Sequence, residues 1–250
     1  MLSFQRQQEI LQILKEQRTA SVQELCQKLY ASPSTIRRDL HQLEKQGLVK
    51  RNYGGVSLPD ERSFEYPMQV RESRNLEAKE EIAQKALEFI RDGQTVFLDS
   101  SSTVLRLALR LREFPNLHIV TNGIDICQAL ADTSRKSAPT VYCCCGRLRD
   151  NARTLVGATA CQYAASFHAD LAVLSCRGLD RKAGSTEANE EERQVKRTFL
   201  EHADRRILLC DHSKIGKSYS CRTADLEDYD RIITDQSTQL GDGLRVKVVW

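Results

Sequence analysis

Residues 32–40, Ser-Pro-Ser-Thr-Ile-Arg-Arg-Asp-Leu, constrain this chain more than any other stretch. Ser32 has the side chain of a helix N-cap, and Pro33 at the first helical position gives up an N–H that has no helical partner there. Ile36, Leu40 and Leu43 recur at i, i+4 and i+7, so one face packs inward. At about 100° per residue, Ser34, Arg38, His41 and Lys45 gather on the opposite face, with Thr35 and Arg37 on its flanks. A short helix, apolar behind and basic and hydroxyl-rich in front, suits the major groove of DNA. There guanidinium and hydroxyl groups reach base edges and phosphates.

The flanking residues agree. Ser21-Val22-Gln23-Glu24 has the capping-box pattern and opens a short helix that buries Val22, Leu25 and Leu29. Tyr30 and Ala31 then make a tight turn into Ser32. A preceding helix carries Ile10, Leu11, Ile13 and Leu14. Two short helices joined so tightly, the second basic outside, read as a helix-turn-helix. Gly47 is placed to end the second helix as its C′ residue. Residues 48–56 read as a β-hairpin wing, with Lys50 and Arg51 available to phosphates. The competing reading is a helical interaction module whose arginines are solvated or paired locally with Asp39. Agreement of caps, turn, spacing, charge and wing argues against it.

Charge supports the same assignment. The net charge is +3, and residues 1–60 hold nine Lys/Arg against six Asp/Glu, so the whole excess lies there. No apolar run approaches the length of about 18 residues that a membrane span needs. No basic-then-apolar leader opens the chain, so a cytoplasmic protein is expected. The nine cysteines form no spaced framework, and several sit in apolar runs such as 171–176 and 207–210, as buried reduced thiols do. Cys143-Cys144-Cys145 alternate across a strand and cannot converge on one ion, and no CxxC pair accompanies them. No metal and no cofactor are expected. A thiol sensor built on Cys143–Cys145 is a minor alternative.

Residues 59–67 are polar, carry two prolines and lack periodicity, so 59–76 is read as a linker between a 1–58 domain and a 77–250 domain. Beyond it, short apolar runs at 95–98, 117–120, 140–145, 171–175, 207–210 and 231–234 alternate with helical patterns at 77–91, 103–112, 123–131, 157–167 and 188–203. Residues 246–250 offer one more strand. This pattern predicts an α/β domain with a mostly parallel sheet covered on both faces. Ligands of such sheets bind beyond the carboxyl ends of the strands. Asp99, Ser100, Ser101, Ser102 and Thr103 follow the first run and open a helix, where backbone N–H groups and the dipole favour phosphate. Thr121 and Asn122 follow the second run, Gly146 the third, Arg177 the fourth, and Asp211 and Lys214 the fifth. Lys214 is suited to phosphate or carboxylate, and Asp99 and Asp211 to sugar hydroxyls. Glu187–Glu192 reads as an acidic helix start with an i,i+4 pair between Glu192 and Lys196, and Glu187 or Asn189 as a secondary element of the pocket rim.

Taken together these residues resemble the DeoR family of transcriptional regulators over nearly the full length. The motifs are Thr35 to Leu40, Leu43-Glu44, Gly47-Leu48, Arg51 and Gly54-Gly55, then Asp99 to Thr103, Val120-Thr121-Asn122, Gly146, Gly157, Gly178, Asn189, Glu191-Glu192, Val195-Lys196 and Asp211 to Lys214. The resemblance implies an N-terminal winged helix-turn-helix and an effector domain related in fold to sugar-phosphate isomerases. It also implies a phosphorylated sugar or sugar-derived inducer bound without turnover. The expected function is a repressor of carbohydrate genes, working as a homo-oligomer, dimer or tetramer, on double-stranded operator DNA. A sugar-phosphate isomerase with an accessory DNA-binding domain is the alternative. The chain departs from the family where the Asp99 loop has three serines and no glycine. Asn52-Tyr53 replaces the usual wing pair ending in His, Ser175 stands where glycine is common, and Glu187 where threonine is common.

Overall fold

The computed structural model describes every residue except Met1, Gln46, 59–64, 132–137, Gln239, Gly241, Asp242 and Leu244, and only the backbone of Lys15. The chain divides into two units, Met1–Arg71 and Glu72–Trp250.

The first unit runs α1 (Ser3–Gln17), β1 (Thr19–Ser21), α2 (Val22–Leu29), α3 (Pro33–Lys45), β2 (Lys50–Asn52) and β3 (Gly55–Ser57). Its ends are cut where the sequence places them. Ser21 Oγ accepts from the Glu24 N–H at 3.0 Å and caps α2. Only that half of the expected capping box forms, because the Glu24 carboxylate pairs instead with Lys28, one turn on, at 3.1 Å. Tyr30 takes the left-handed conformation that turns the chain, and Ser32 Oγ accepts from the Thr35 N–H at 3.3 Å to open α3. Gly47, at φ 69°, closes it: its N–H bonds Glu44 O and the Leu48 N–H bonds Leu43 O, both bonds of a Schellman end. Ile10, Leu14, Leu25, Ile36, Leu40, Leu43 and Val56 form one core. The wing is three-stranded, not a simple hairpin. β1 pairs with β3 through Ala20 opposite Val56, so the order is β1-β3-β2. Three residues are too few to show a strand period. Of the expected linker, 59–64 lie outside the described residues, and α4 (Met68–Ser73) is helical.

The second unit contains α5 (Leu76–Ala86), β4 (Thr95–Leu98), α6 (Ser102–Arg110), β5 (His118–Thr121), α7 (Ile124–Leu130), β6 (Thr140–Cys143), β7 (Arg147–Arg149), β8 (Thr154–Val156), α8 (Ala158–Ala165) and β9 (Ala169–Ser175). It continues through β10 (Gly178–Asp180), β11 (Gly184–Glu187), α9 (Glu190–Glu201), β12 (Ala203–Leu209), β13 (Cys221–Ala224), β14 (Arg231–Ile233) and β15 (Lys247–Val249). Seven strands form one sheet in the order β15-β14-β12-β9-β4-β5-β6, with every neighbour parallel. Phe97, Leu174, Leu208 and Ile232 point to one face and pack with Ala160, Val195 and Phe199 of α8 and α9. The Phe97 and Phe199 rings stack at 4.6 Å. Alternate residues Val96, Leu98, Val173 and Leu209 are equally buried on the other face, the side of the neighbouring helices α5, α6 and α7. A β10-β11-β13 antiparallel sheet and the β7-β8 hairpin are additions that the run of apolar segments does not announce.

Chain order reverses between β4 and β9. From β4 the chain moves outward through β5 to β6, and from β9 it moves the other way through β12, β14 and β15. That is the topological switch point, where open parallel sheets form a crevice beyond the strand ends.

Candidate functional site

In the first unit, Ser34, Arg37, Arg38, His41 and Lys45 are exposed on α3, and Lys50 and Arg51 on β2, while Thr35 is half-buried. Asp39 settles the question of local ion pairs. It is buried on the inner side of α3, where Arg6 of α1 forms an ion pair with it and Ser3 Oγ donates a hydrogen bond at 2.9 Å. Burial works against its charge, but Arg6 and Ser3 outweigh it and hold the carboxyl below its ordinary range. Arg37 and Arg38 form no ion pair among the described residues, so their charge faces outward. Arg51 is less free. Its guanidinium lies 3.8 Å from Glu44, and its N–H bonds the same carboxylate at 3.2 Å. Ser34 and Thr35 hydroxyls each lie 2.9 Å from Ser32 Oγ.

In the second unit, three strand ends meet at the switch point through Ser175. Its N–H donates to Asp99 Oδ2 at 2.8 Å, its carbonyl accepts from Lys196 Nζ at 2.8 Å, and its hydroxyl accepts from Lys214 Nζ at 3.0 Å. Asp99 Oδ1 accepts from the Ser101 N–H at 3.0 Å, and Ser101 Oγ caps α6 by accepting from Val104 N–H. The helix start leaves the N–H groups of Ser102 and Thr103 without an intrahelical acceptor. The β5 loop closes against this one: a Cβ on Gly123 would sit 3.0 Å from Ser100 Cα and 3.2 Å from its Cβ, a tight approach that glycine relieves. Asn122 Nδ2 donates to Thr154 Oγ1 at 2.8 Å and to Leu155 O at 3.2 Å. Thr121 Oγ1 accepts from the Gly123 N–H at 3.1 Å. Thr103 Oγ1 and Asn122 Oδ1, both buried here, have no hydrogen-bond partner among the described residues.

Lys196 is the residue that sequence reasoning misplaced. It does not pair with Glu192 on the surface. It is buried and holds Asp99 Oδ2 at 3.1 Å and the Glu187 carboxylate, while Glu192 pairs with Arg149. Burial opposes its charge, but Asp99 and Glu187 raise its pKa well above that of an ordinary lysine. The signal was present in the spacing. Positions 192, 195, 196, 199 and 200 make the buried stripe of α9, and two of them are charged. Glu187, expected only as a secondary rim residue, faces this cation, which offsets its repulsion of an anion.

Asp99 and Asp211 do not offer free acceptors. Asp99 is fully buried with both oxygens engaged. Asp211 accepts from Asn75 Nδ2 at 3.0 Å and from Ser213, with Lys214 Nζ at 3.5 Å. Burial would raise its pKa, but Lys214, Ser213 and Asn75 depress it far below the usual range. Lys214 is raised in turn: burial acts against the cation, and Asp211 prevails. Gly146 is exposed, and any side chain there is excluded by Val156 O, 2.6 Å from where a Cβ would stand. Arg177 lies over the Tyr219 ring at 4.9 Å. Neither Gly146 nor Arg177 shares the Ser175 hydrogen-bond cluster.

A basic winged helix-turn-helix followed by a parallel α/β unit with a polar switch-point cluster defines a DNA-binding regulator with a sensor domain. Residues 6–62 match the DeoR-like helix-turn-helix domain, and residues 74–236 match the DeoR C terminal sensor domain. The chain belongs to the DeoR family of transcriptional regulators. It is 35% identical over 236 residues to the HTH-type transcriptional regulator GolR of Listeria innocua serovar 6a, covering 94% of this chain and 91% of that protein. It is 32% identical to the glycerol-3-phosphate regulon repressor of Escherichia coli K12, covering 94% and 92%. Among solved structures, ribose 5-phosphate isomerase A from Methanocaldococcus jannaschii aligns at a TM-score of 0.42 and 12% identity, over 56% of this chain and 55% of that one. Among the described residues no helix is long and apolar enough to cross a membrane.

Proposed function

We propose that the chain represses carbohydrate-metabolism genes and is released from its operator by a phosphorylated sugar or sugar-derived metabolite. Residues 1–58 bind double-stranded DNA through Ser34, Thr35, Arg37, Arg38, His41, Lys45, Lys50 and Arg51. Residues 77–250 bind the effector and hold the homo-oligomer, with the work done in the cytoplasm. One relative's name, glycerol-3-phosphate regulon repressor, supports a small phosphorylated polyol or sugar as the effector class.

The observation that carries the effector reading is the pair of unmatched buried atoms, Thr103 Oγ1 in the first turn of α6 and Asn122 Oδ1 on the loop after β5, at the switch point. Buried polar atoms are nearly always hydrogen-bonded, so a partner from outside the chain is called for. A phosphate at the start of α6 takes the Ser102 and Thr103 N–H groups and the positive dipole end. Lys214, with a side chain 20% exposed, supplies charge. Asp99 orients this loop and does not touch the ligand.

The carboxylates support binding without turnover. Isomerisation needs a carboxylate base free to reach a substrate carbon. Asp99 and Glu187 are held by Lys196, and Asp211 by Asn75, Ser213 and Lys214. A thermal-shift panel of phosphorylated sugars and polyols, each beside its unphosphorylated counterpart, tests the reading. A true effector at 100 times its Kd adds about 2.7 kcal/mol of stability. Thr103→Ala with Lys214→Ala is expected to abolish the shift and leave binding to a selected operator intact. Loss of both functions together would assign these residues to the fold.

A further inference from the structure

The second unit begins at Glu72, directly after Arg71, the last residue of the first. Its opening residues are fastened twice, to two different sides of the switch point. Glu72 Oε2 accepts from Arg106 Nη2 at 3.3 Å. Arg106 lies on α6, one turn beyond Thr103. Three residues after Glu72, Asn75 Nδ2 donates to Asp211 Oδ1 and to Ser213 Oγ, each at 3.0 Å. These belong to the turn after β12 that carries Lys214. α6 follows β4 and this turn follows β12, and β9, which ends at Ser175, lies between those two strands. Residues 72–75 therefore reach both flanks of the Ser175 cluster.

The Asn75 joint is built with little slack. Its amide spends both hydrogens on the two oxygens. The Asp211 carboxylate turns its other oxygen toward Lys214 Nζ at 3.5 Å, so one carboxylate links Asn75 to that lysine. The backbone of the joint is held as well. Lys79, buried on α5, donates from Nζ to the Arg74 carbonyl at 2.6 Å, and its N–H takes the Asn75 carbonyl at 3.1 Å. Asn75 itself has φ 50°, the left-handed region that asparagine enters more readily than most residues. One anchor is enough to dock a segment on a fold. Two anchors on opposite flanks of one strand end make the position of the segment depend on the separation of those flanks.

We propose that Glu72 and Asn75 are positioning residues that couple the switch point to the DNA-binding unit, by setting the start of the second unit according to the spacing of α6 and the 211–214 turn. That a phosphate changes this spacing rests on the effector reading above, whereas the bridge between the two flanks does not. A phosphate held at the start of α6 draws Lys214 toward it and away from Asp211. Asp211 then depends on Asn75 and Ser213, and the residues that follow Arg71 shift with them.

Hydrogen exchange of the full-length chain, free and bound to a duplex selected from a random pool, tests the bridge from the DNA side and requires no effector. Coupling is reciprocal, so operator binding is expected to change exchange at residues 102–105 and 211–215 by about fivefold or more. Asn75→Gly removes the amide and leaves a backbone at ease with positive φ, and Glu72→Gln removes the charge and keeps the shape. The double variant is expected to bind the operator as the wild type does and to show no exchange change at either flank. No change in the wild-type chain overturns the coupling without reliance on any variant. A change that persists in the double variant overturns the bridge. If the double variant does not fold, Glu72→Gln alone decides, and a change that persists in it overturns the bridge. The thermal shift given by inorganic phosphate is read separately and is expected to be equal in wild type and double variant. Its loss in the double variant alone places the two residues in the binding site and overturns their positioning role. Its absence from both overturns the effector reading and leaves the bridge to the exchange result.

Discussion

At the scale of residues, the two charged clusters do opposite things. Arg38 is exposed on the basic face and forms no ion pair among the described residues, while Asp39, its neighbour, is turned inward onto Arg6. If Arg38 reads a base, Arg38→Ala costs about 1–3 kcal/mol and relaxes preference at one operator position. If Lys50 contacts a phosphate, Lys50→Ala weakens all sequences alike and flattens the salt dependence. Competition binding on operator variants at several salt concentrations separates the two. Arg51→Ala is expected to do less than Lys50→Ala, since Glu44 already engages it. Lys196 is the reverse case, a buried cation among Asp99, Glu187 and the Ser175 carbonyl. Lys196→Met leaves two carboxylates facing each other out of water and costs about 3–5 kcal/mol in urea unfolding. Adding Glu187→Gln recovers part of the loss. A cost within that of an ordinary surface substitution would show that Lys196 does not hold the switch point together.

At the scale of elements, α3 is defined by its two ends. Ser32 Oγ satisfies the Thr35 N–H, and Gly47 at φ 69° lets the chain leave with both Schellman bonds made. Ser32→Ala removes the cap and costs about 1 kcal/mol. Gly47→Ala puts a Cβ in the left-handed region and costs about 1–2 kcal/mol. Both act on the first unit only, so ligand-induced shifts of the second should be unaltered, a comparison that differential scanning calorimetry makes directly. In the second unit the corresponding element is the start of α6. Its cap comes from Ser101 and its loop from Asp99, so the serine run without glycine is held by hydrogen bonds at both ends.

At the scale of the whole molecule, a metabolite changes operator affinity only if it binds two arrangements of the protein differently. A coupling of about 1–3 kcal/mol gives a 5–150-fold change in affinity. Reciprocity then requires operator DNA to weaken effector binding by the same factor. Calorimetric titration of the effector with and without operator measures it, and equal affinities would exclude induction through this equilibrium. The oligomer is expected to engage half-sites about 10 bp apart or a multiple of that. Of the linker expected at 59–76, residues 59–64 lie outside the described residues.

Local chemistry determined what was legible in the chain itself. Ser32, Pro33, Gly47 and the Ile36-Leu40-Leu43 stripe act within a few residues of one another, so the recognition helix and its outward face follow from sequence alone. The strand runs at 95–98 and 231–234 follow likewise, because strands buried on both faces are written as apolar runs. Only the tertiary structure decided partners distant in the chain. β1 is a strand because Val56 lies opposite Ala20. Asp39 is an internal anchor because α1 brings Arg6 to it. Lys196 leaves Glu192 because β4 and β11 carry two carboxylates to its inner side, while Arg149 takes Glu192. Electrostatic energy in a buried site rises as the surroundings exclude water, and no i,i+4 rule contains that information, since it depends on which strand ends the topology makes adjacent.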